Sequence, residues 1–185
     1  MAFTVAQWLA GRGEQVLAAV GIRPGQVVLD FGCGRGFYAL AAAALVGPAG
    51  WVYAVDHNSR ILRQLQQEAG KRKILNIVPA GSLAEVRAGL GSRRLDVILL
   101  YDVLHHYYFT EKQRIALLRA FPGLLAAGGL ISIYPRHMEE VEIRRLREEM
   151  AALGLRPAVR LAVELLHDGA YERGVVLNFR TVNRF

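Results

Sequence analysis

The chain has one cysteine, Cys33, among its 185 residues. An internal disulfide is therefore excluded, as is a cysteine-based zinc knuckle, and a reducing compartment is the default. Long apolar runs are missing too: the longest, residues 37–46, is about half of what a bilayer-spanning helix requires. The start, MAFTVAQWLAGRG, has neither the basic head nor the uninterrupted apolar centre of a signal peptide. Together these absences predict a soluble, cytoplasmic protein with no membrane contact. Low-complexity tracts and internal repeats are also lacking. At 53% hydrophobic and 21% charged residues the balance is that of a folded domain, and the length allows one core with no separate substrate domain.

Acidic residues are comparatively scarce, 16 against 23 basic ones, for a net charge of +7. Such a balance makes a polyanionic partner such as RNA worth weighing. Yet the basic residues are dispersed. The densest group, Arg144, Arg145 and Arg147, adjoins Glu148 and Glu149, and the spacing predicts Arg144–Glu148 and Arg145–Glu149 pairs on a solvated helix face.

Apolar runs of strand length alternate with helical patterns, the signature of βα units feeding a parallel sheet. Strands are predicted at 26–31, 51–55, 74–80, 95–101 and 130–134, with Pro79 placing the third at a sheet edge. Helices are predicted at 8–20, 37–45, 59–70 with Ser59 as cap, after a Thr110/Gln113 capping box, and at 139–153. Two further strands, 158–166 and 174–179, close the chain as a hairpin through His167-Asp168-Gly169.

The densest chemistry lies in residues 27–40, VVLDFGCGRGFYAL. A strand enters a turn carrying Gly32, Gly34 and Gly36 and leaves as a helix, which sets backbone N–H groups and a helix N-terminus at the carboxyl end of the sheet. Glycine lets the backbone itself touch a ligand. The spacing G-x-G-x-G departs from the dinucleotide fingerprint, and Asp30 beside the turn is awkward for a pyrophosphate but suits an ammonium group. About twenty residues on, Asp56 ends the second strand, where a carboxylate accepts from both ribose hydroxyls. A nucleoside carrying a cationic amino acid meets both demands.

These residues resemble the class I S-adenosylmethionine-dependent methyltransferases. VVLDFGCGRGFYAL is similar to their first motif, VYAVDHN to the second with its ribose acid, LDVILLYDVLHH to the fourth and LLAAGGLISIY to the turn into the fifth strand, over about Ile22 to Phe179. The resemblance implies an α/β fold with a Rossmann-like seven-stranded sheet, mostly parallel with an antiparallel C-terminal strand, and helices on both faces. It implies a single methyltransferase domain over 1–185, in which 1–21 form an N-terminal helix covering the cofactor cleft and 22–185 the core. The implied cofactor is S-adenosylmethionine. Asp30, through water, and the backbone of the Gly32, Gly34 and Gly36 loop would hold its methionine part, with the carbonyl of Leu100 or Tyr101. Asp56 would bind the ribose, His57 flank the adenine, and Ser82 and Leu83 edge it. The family usually has an acid where Ser82 stands, to contact the adenine amino group.

A sulfonium donor already carries its activating charge, so the protein supplies proximity and alignment for an in-line displacement. A general base is needed only if the acceptor must lose a proton. His105 and His106, after the fourth strand, are the candidate bases, with Asp102, Tyr107 and Tyr108 beside them facing substrate. After the fifth strand Tyr134, Arg136 and His137 converge on the same cleft, Arg136 being able to pair with an anionic acceptor. Adjacent histidines rarely share a metal and no carboxylate or cysteine stands at ligand spacing, so no metal site is expected. The Asn-Pro-Pro-Tyr tetrad of amino-methylating nucleic-acid enzymes is lacking, and with almost no insertion for a substrate cap the acceptor is expected in an open cleft, under the N-terminal helix, or beneath a second subunit of a homodimer. A small-molecule acceptor is the leading expectation. RNA or protein as acceptor, and a non-catalytic S-adenosylmethionine-binding sensor or partner subunit, are the alternatives. The loop spacing and the single short domain weigh against a nicotinamide-dependent oxidoreductase.

Overall fold

The computed structural model describes residues 4–181. Strands β1 (Val27–Phe31), β2 (Trp51–Val55), β3 (Ile77–Ala80), β4 (Leu95–Tyr101), β5 (Leu125–Tyr134), β6 (Leu155–His167) and β7 (Ala170–Thr181) form one sheet in the order β3-β2-β1-β4-β5-β7-β6. The first five are parallel, and β7 lies antiparallel between β5 and β6. Helices α1 (Val5–Gln7) and α2 (Gly13–Val20) precede β1. Parallel strands cannot be joined by a tight turn, so helices α3 (Phe37–Val46), α4 (Ser59–Lys71), α5 (Leu83–Leu90) and α6 (Glu111–Ala120) cross over between them. Helix α7 (Glu140–Ala152) leads from β5 into the closing hairpin.

Successive strand side chains point to opposite faces, which divides the interior in two. Val28 and Leu99 join Trp8, Leu17, Leu40 and Leu65 in one core. Leu29, Ile98 and Leu100 join Val86, Leu118, Phe121 and Leu146 in the other. Being covered on both faces, β4 reads as the unbroken apolar run LDVILLY. Pro79 sits in β3, the edge strand, as expected.

Several local expectations are corrected. The helix over 8–20 is broken: residues Trp8–Arg12 widen into a π-helical turn, and Gly11 at φ 119° interrupts the ladder before α2 begins. The detour seats Trp8, which has no exposure and donates its indole N–H to the Phe37 carbonyl at 3.0 Å. A Cβ at Gly13 would come within 2.6 Å of that ring, so the approach requires glycine. Asn58, not Ser59, caps α4, because its extended backbone lets Oδ1 accept the Arg60 N–H at 3.0 Å. β3 begins at Ile77, since Asn76 instead donates its side-chain amide to the carbonyls of Ala43 and Gly47. Gly128 and Gly129 lie within β5 as a bulge against β4. The closing hairpin is longer than expected, with only Asp168 and Gly169, both at positive φ, in its turn.

Glu149 does not pair with Arg145 along its own helix. It accepts two bonds of 2.9 Å from Arg114 of α6, a buried guanidinium, while Arg145 reaches Glu111 at 3.8 Å. Arg114 loses its water on folding and so depends on this bidentate partner. Glu149→Ala, which leaves that charge buried and alone, is expected to lower stability by about 3 kcal/mol. The check is a urea titration, in which the midpoint falls at unchanged slope.

Candidate active site

From β1 the chain moves outward through β2 to β3, then returns to lay β4 on the other side of β1. At such a reversal the carboxyl ends of the strands part and leave a crevice. A cleft of about 710 Å³ opens there, lined by Gly32, Gly34, Asp56, His57, Ser82, Leu83, Asp102 and Tyr107 among others. Another concavity of about 730 Å³ lies near the starts of β5 and β6, and its lining has neither carboxylate nor imidazole.

The three loop glycines have different reasons. All have positive φ, 74°, 50° and 76°. A Cβ on Gly32 would strike Val103 at 2.6 Å and one on Gly36 would strike Leu65 at 2.4 Å, whereas one on Gly34 would meet nothing within 4 Å. Two of them thus serve the turn's own packing, and Gly34 alone faces open space. The loop N–H groups are also committed: Gly32 and Cys33 donate to the Val55 carbonyl at 2.8 and 2.9 Å, and Gly34 donates to Asp56 at 3.0 Å. Gly32 and Gly34 line the cleft while Gly36 is packed behind it. Cys33 is buried, and burial pushes its thiol well above the usual range, which leaves it an inert filler.

Asp56 accepts from Gly34 N–H with one oxygen and from Asn58 N–H, at 2.9 Å, with the other. It is thereby held at the cleft wall. Ser82 lines the cleft, but its hydroxyl caps α5, accepting from the Glu85 N–H at 3.3 Å and donating to the Glu85 carboxylate at 3.0 Å. Leu100 and Tyr101 are buried behind the lining, the Tyr101 hydroxyl sharing a hydrogen with Ser132 at 2.9 Å. Of residues 1–21, expected to cover the cleft, 1–3 lie outside the described residues and 4–21 are not part of its lining; Trp8 anchors that segment on α3.

Asp30 lies beneath the loop, fully buried, with Oδ2 lacking any partner. Burial pushes its carboxyl up to about 7, against a hydrogen bond from Ala39 N–H, and the nearby Asp56 adds to the rise. An orphaned, buried carboxyl oxygen beside the glycine turn has bonding capacity that a donor could use.

At the other end of the cleft Asp102 is a hub. It has φ 53°, uncommon for a residue with a side chain, and its N–H bonds the Tyr134 carbonyl at 3.0 Å. Its Oδ1 lies 2.7 Å from His137 Nδ1 and 3.6 Å from His105 Nε2, and its Oδ2 lies 2.8 Å from His167 Nε2. Beyond His167, Glu172 accepts from the Tyr134 hydroxyl and, at 2.7 Å, from Arg136. Burial alone would raise Glu172, but the bonds from Tyr134 and Arg136 outweigh it and hold the carboxyl below its usual range. The Tyr134 hydroxyl is thereby engaged, and Arg136 reaches Glu172 through Nε with its side chain still part-exposed. His105 is buried, and that burial lowers its pKa despite the Asp102 charge. His106 is exposed, its ring on Tyr107 at 4.2 Å, and it does not line the cleft. The sequence reading missed His167 and Glu172, which reach the site from the hairpin turn, some thirty residues past the last motif with a ligand signal.

The strand order, the antiparallel insertion of β7 and a glycine turn held by an acid at the end of β2 define a Rossmann-like methyltransferase fold. The family described as methyltransferase domain matches residues 28–129, more than half of the chain, and the chain belongs to that family, among the class I S-adenosylmethionine-dependent methyltransferases. A SAM-dependent methyltransferase from Aquifex aeolicus superposes with a TM-score of 0.70 at 20% identity, over 92% of this chain and 89% of that one. Nocamycin O-methyltransferase from Saccharothrix syringae is 34% identical over 43% of this chain and 32% of its own length. A probable cobalt-precorrin-6B C(15)-methyltransferase from Saccharolobus solfataricus is 37% identical over 32% of this chain and 30% of its own. The chain thus spans about a third of the length of these curated relatives. Among the described residues no helix is long and apolar enough to cross a membrane.

The raised Asp30 carboxyl sets a pH dependence. Its proton is held more tightly in the folded chain, so the stability it contributes is complete below about pH 4 and is lost as pH rises through about 7. Asp30→Asn, which cannot ionise, is expected to melt at a higher temperature than the parent at about pH 8, and the difference should vanish below about pH 4. Melting curves of both proteins across that range give the check. A difference that stays constant with pH would sink the assignment.

Proposed function

We propose that the chain is an S-adenosylmethionine-dependent methyltransferase acting on a small-molecule acceptor. The observation that carries this reading is a glycine turn on the cleft wall with a carboxylate on either side of it, Asp30 buried behind the lining with one oxygen unpartnered among the described residues and Asp56 fixed in the lining at the end of β2. The residues fit the donor. Asp30 would neutralise its ammonium, directly or through water, the open face of Gly34 would receive its amino-acid part, and Asp56 would accept from its ribose hydroxyls. His57, Ser82 and Leu83 line the wall left for the base, with Ser82 a weak partner because its hydroxyl is spent on the helix cap. The donor, when bound, supplies an activated methyl group.

The chain's own work is then to seat the acceptor and hold any proton it loses. Asp102 lines the cleft and orients His137 and His167 through their ring nitrogens. With Nδ1 engaged on Asp102, His137 has Nε2 left to take a proton, which makes it a better base than buried His105, or than His106, which has no bond to Asp102. A small acceptor is favoured over RNA because the curated relatives are named for small molecules, nocamycin and a cobalt-precorrin, and because Arg136 beside this hub is paired with Glu172. The names of the two curated relatives differ in acceptor atom, oxygen in one and carbon in the other, so the atom is not carried over. A cytoplasmic location, and a homodimer with exposed Tyr107 and Tyr108 at the covered mouth, belong to the same proposal.

Calorimetric titration with S-adenosylmethionine, S-adenosylhomocysteine and NAD in parallel tests it. Binding of the first two and not of NAD is expected. NAD binding alone, or none at all, would overturn the reading, and binding without turnover on any extract would mark a sensor or partner subunit. Asp56→Ala should weaken donor binding by at least about tenfold, roughly one lost charge-assisted hydrogen bond. Asp56→Asn, which keeps one acceptor for the loop, separates loss of ribose contact from loosening of the turn.

A further inference from the structure

We propose that Asp102, His105 and His137 form a binding site for a divalent transition-metal ion of the zinc type at the acceptor end of the cleft. The three come from two turns that the sequence separates, Asp102 and His105 after β4 and His137 after β5. Asp102 Oδ1 stands 2.7 Å from His137 Nδ1 and 3.6 Å from His105 Nε2, and one ligand atom from each residue falls within 4.8 Å of the others. Ligands about 2.0–2.2 Å from a tetrahedral zinc ion are about 3.3–3.6 Å from one another, so side-chain shifts of about 1 Å or less would admit the ion. Two imidazoles with one carboxylate suit zinc, cobalt, iron or nickel, whereas magnesium and calcium take oxygen ligands.

The surroundings have an outer bond of the kind that such ligands use. The second Asp102 oxygen is held by His167 Nε2 at 2.8 Å. The ion would replace the proton that Asp102 and His137 share. At His105, Nδ1 receives the Tyr107 N–H at 3.3 Å, a long contact, and an ion on Nε2 requires the ring proton on Nδ1, so that contact is given up. Three protein ligands leave a tetrahedral ion a fourth position, and one of them, Asp102, lines the cleft. An acceptor hydroxyl or a water seated there would lose its proton more readily, in place of proton transfer to His137, whose Nε2 then carries the ring hydrogen; that role rests on the methyltransferase reading although the binding itself does not.

The test uses the full chain, stripped with chelator and titrated with Co²⁺ in the absence of any nucleoside, followed by visible d–d absorption and then by Zn²⁺ competition. One Co²⁺ per chain is expected, displaced by one Zn²⁺. Asp102→Asn and His137→Ala should each weaken binding by about tenfold or more, the scale of losing a contact that supports a metal. His106→Ala, which alters an exposed ring outside the cluster, should leave the spectrum as it is. His105→Gln is used in place of alanine at that buried position, and metal-free melting curves of every variant separate lost binding from lost fold. Absent d–d bands, or bands that Asp102→Asn and His137→Ala leave unaltered, would overturn the site. Co²⁺ binding with no donor binding would spare the site and refute the methyltransferase reading, and the converse result would do the opposite.

Discussion

Three backbone N–H groups tie the end of β1 to the end of β2, two on the Val55 carbonyl and one on the Asp56 carboxylate. The rest of the site depends on this junction. To make it, the chain must turn through three left-handed positions within five residues, and only then can α3 leave in the direction that covers the sheet. The same turn closes over Asp30 and removes it from water. It also fixes one Asp56 oxygen while the Asn58 N–H fixes the other, so that a carboxylate that would otherwise swing in solvent becomes a rigid part of the wall.

The second organising centre is Asp102, and it is assembled from the far end of the chain. β4 and β5 are joined there by the bond from Asp102 N–H to Tyr134, and the hairpin of β6 and β7 then brings His167 and Glu172 alongside. The hairpin is held to the glycine turn's own helix by Tyr38, whose hydroxyl both donates to the Leu166 carbonyl, at 2.9 Å, and accepts from its N–H, at 3.0 Å. Rings of Trp8, Tyr38, Tyr101 and Tyr134 meet edge to face in a row beneath, at 5.0, 4.9 and 6.4 Å between centroids. An antiparallel last strand is thus more than an ending. It carries polar groups to the acceptor end that no parallel crossover in this sheet supplies.

How much of this was legible differs by element for physical reasons. β1, β2 and β4 were read closely because strands buried on both faces need apolar residues throughout, and composition records that need. The glycine turn and Asp56 were legible because a left-handed backbone and a fixed spacing leave residue-level marks. Helix α5 was passed over because it is eight residues long and only half covered, so its apolar pattern is too short to see. The π-helical turn at Trp8 escaped because it is imposed by contact with Phe37 and Ala41, about thirty residues away. Arg145 and Glu149 stood at helical spacing, yet Glu149 turned to Arg114, since a buried guanidinium gains more from a bidentate partner than an exposed one does.

By itself, then, the sequence determined the α/β layering, the turn after β1, the acid after β2 and the kind of ligand that those two ask for. These follow from local rules: the alternation of strand side chains, the conformational freedom of glycine and the reach of one carboxylate. Only the tertiary structure decided which polar residues work together. His106, next in sequence to His105, points away, while His137 and His167 come 35 and 65 residues along the chain to share the oxygens of Asp102. Their meeting is set by strand order and by the insertion of β7, and a property of sheet topology leaves no mark in the spacing of the residues that it brings together.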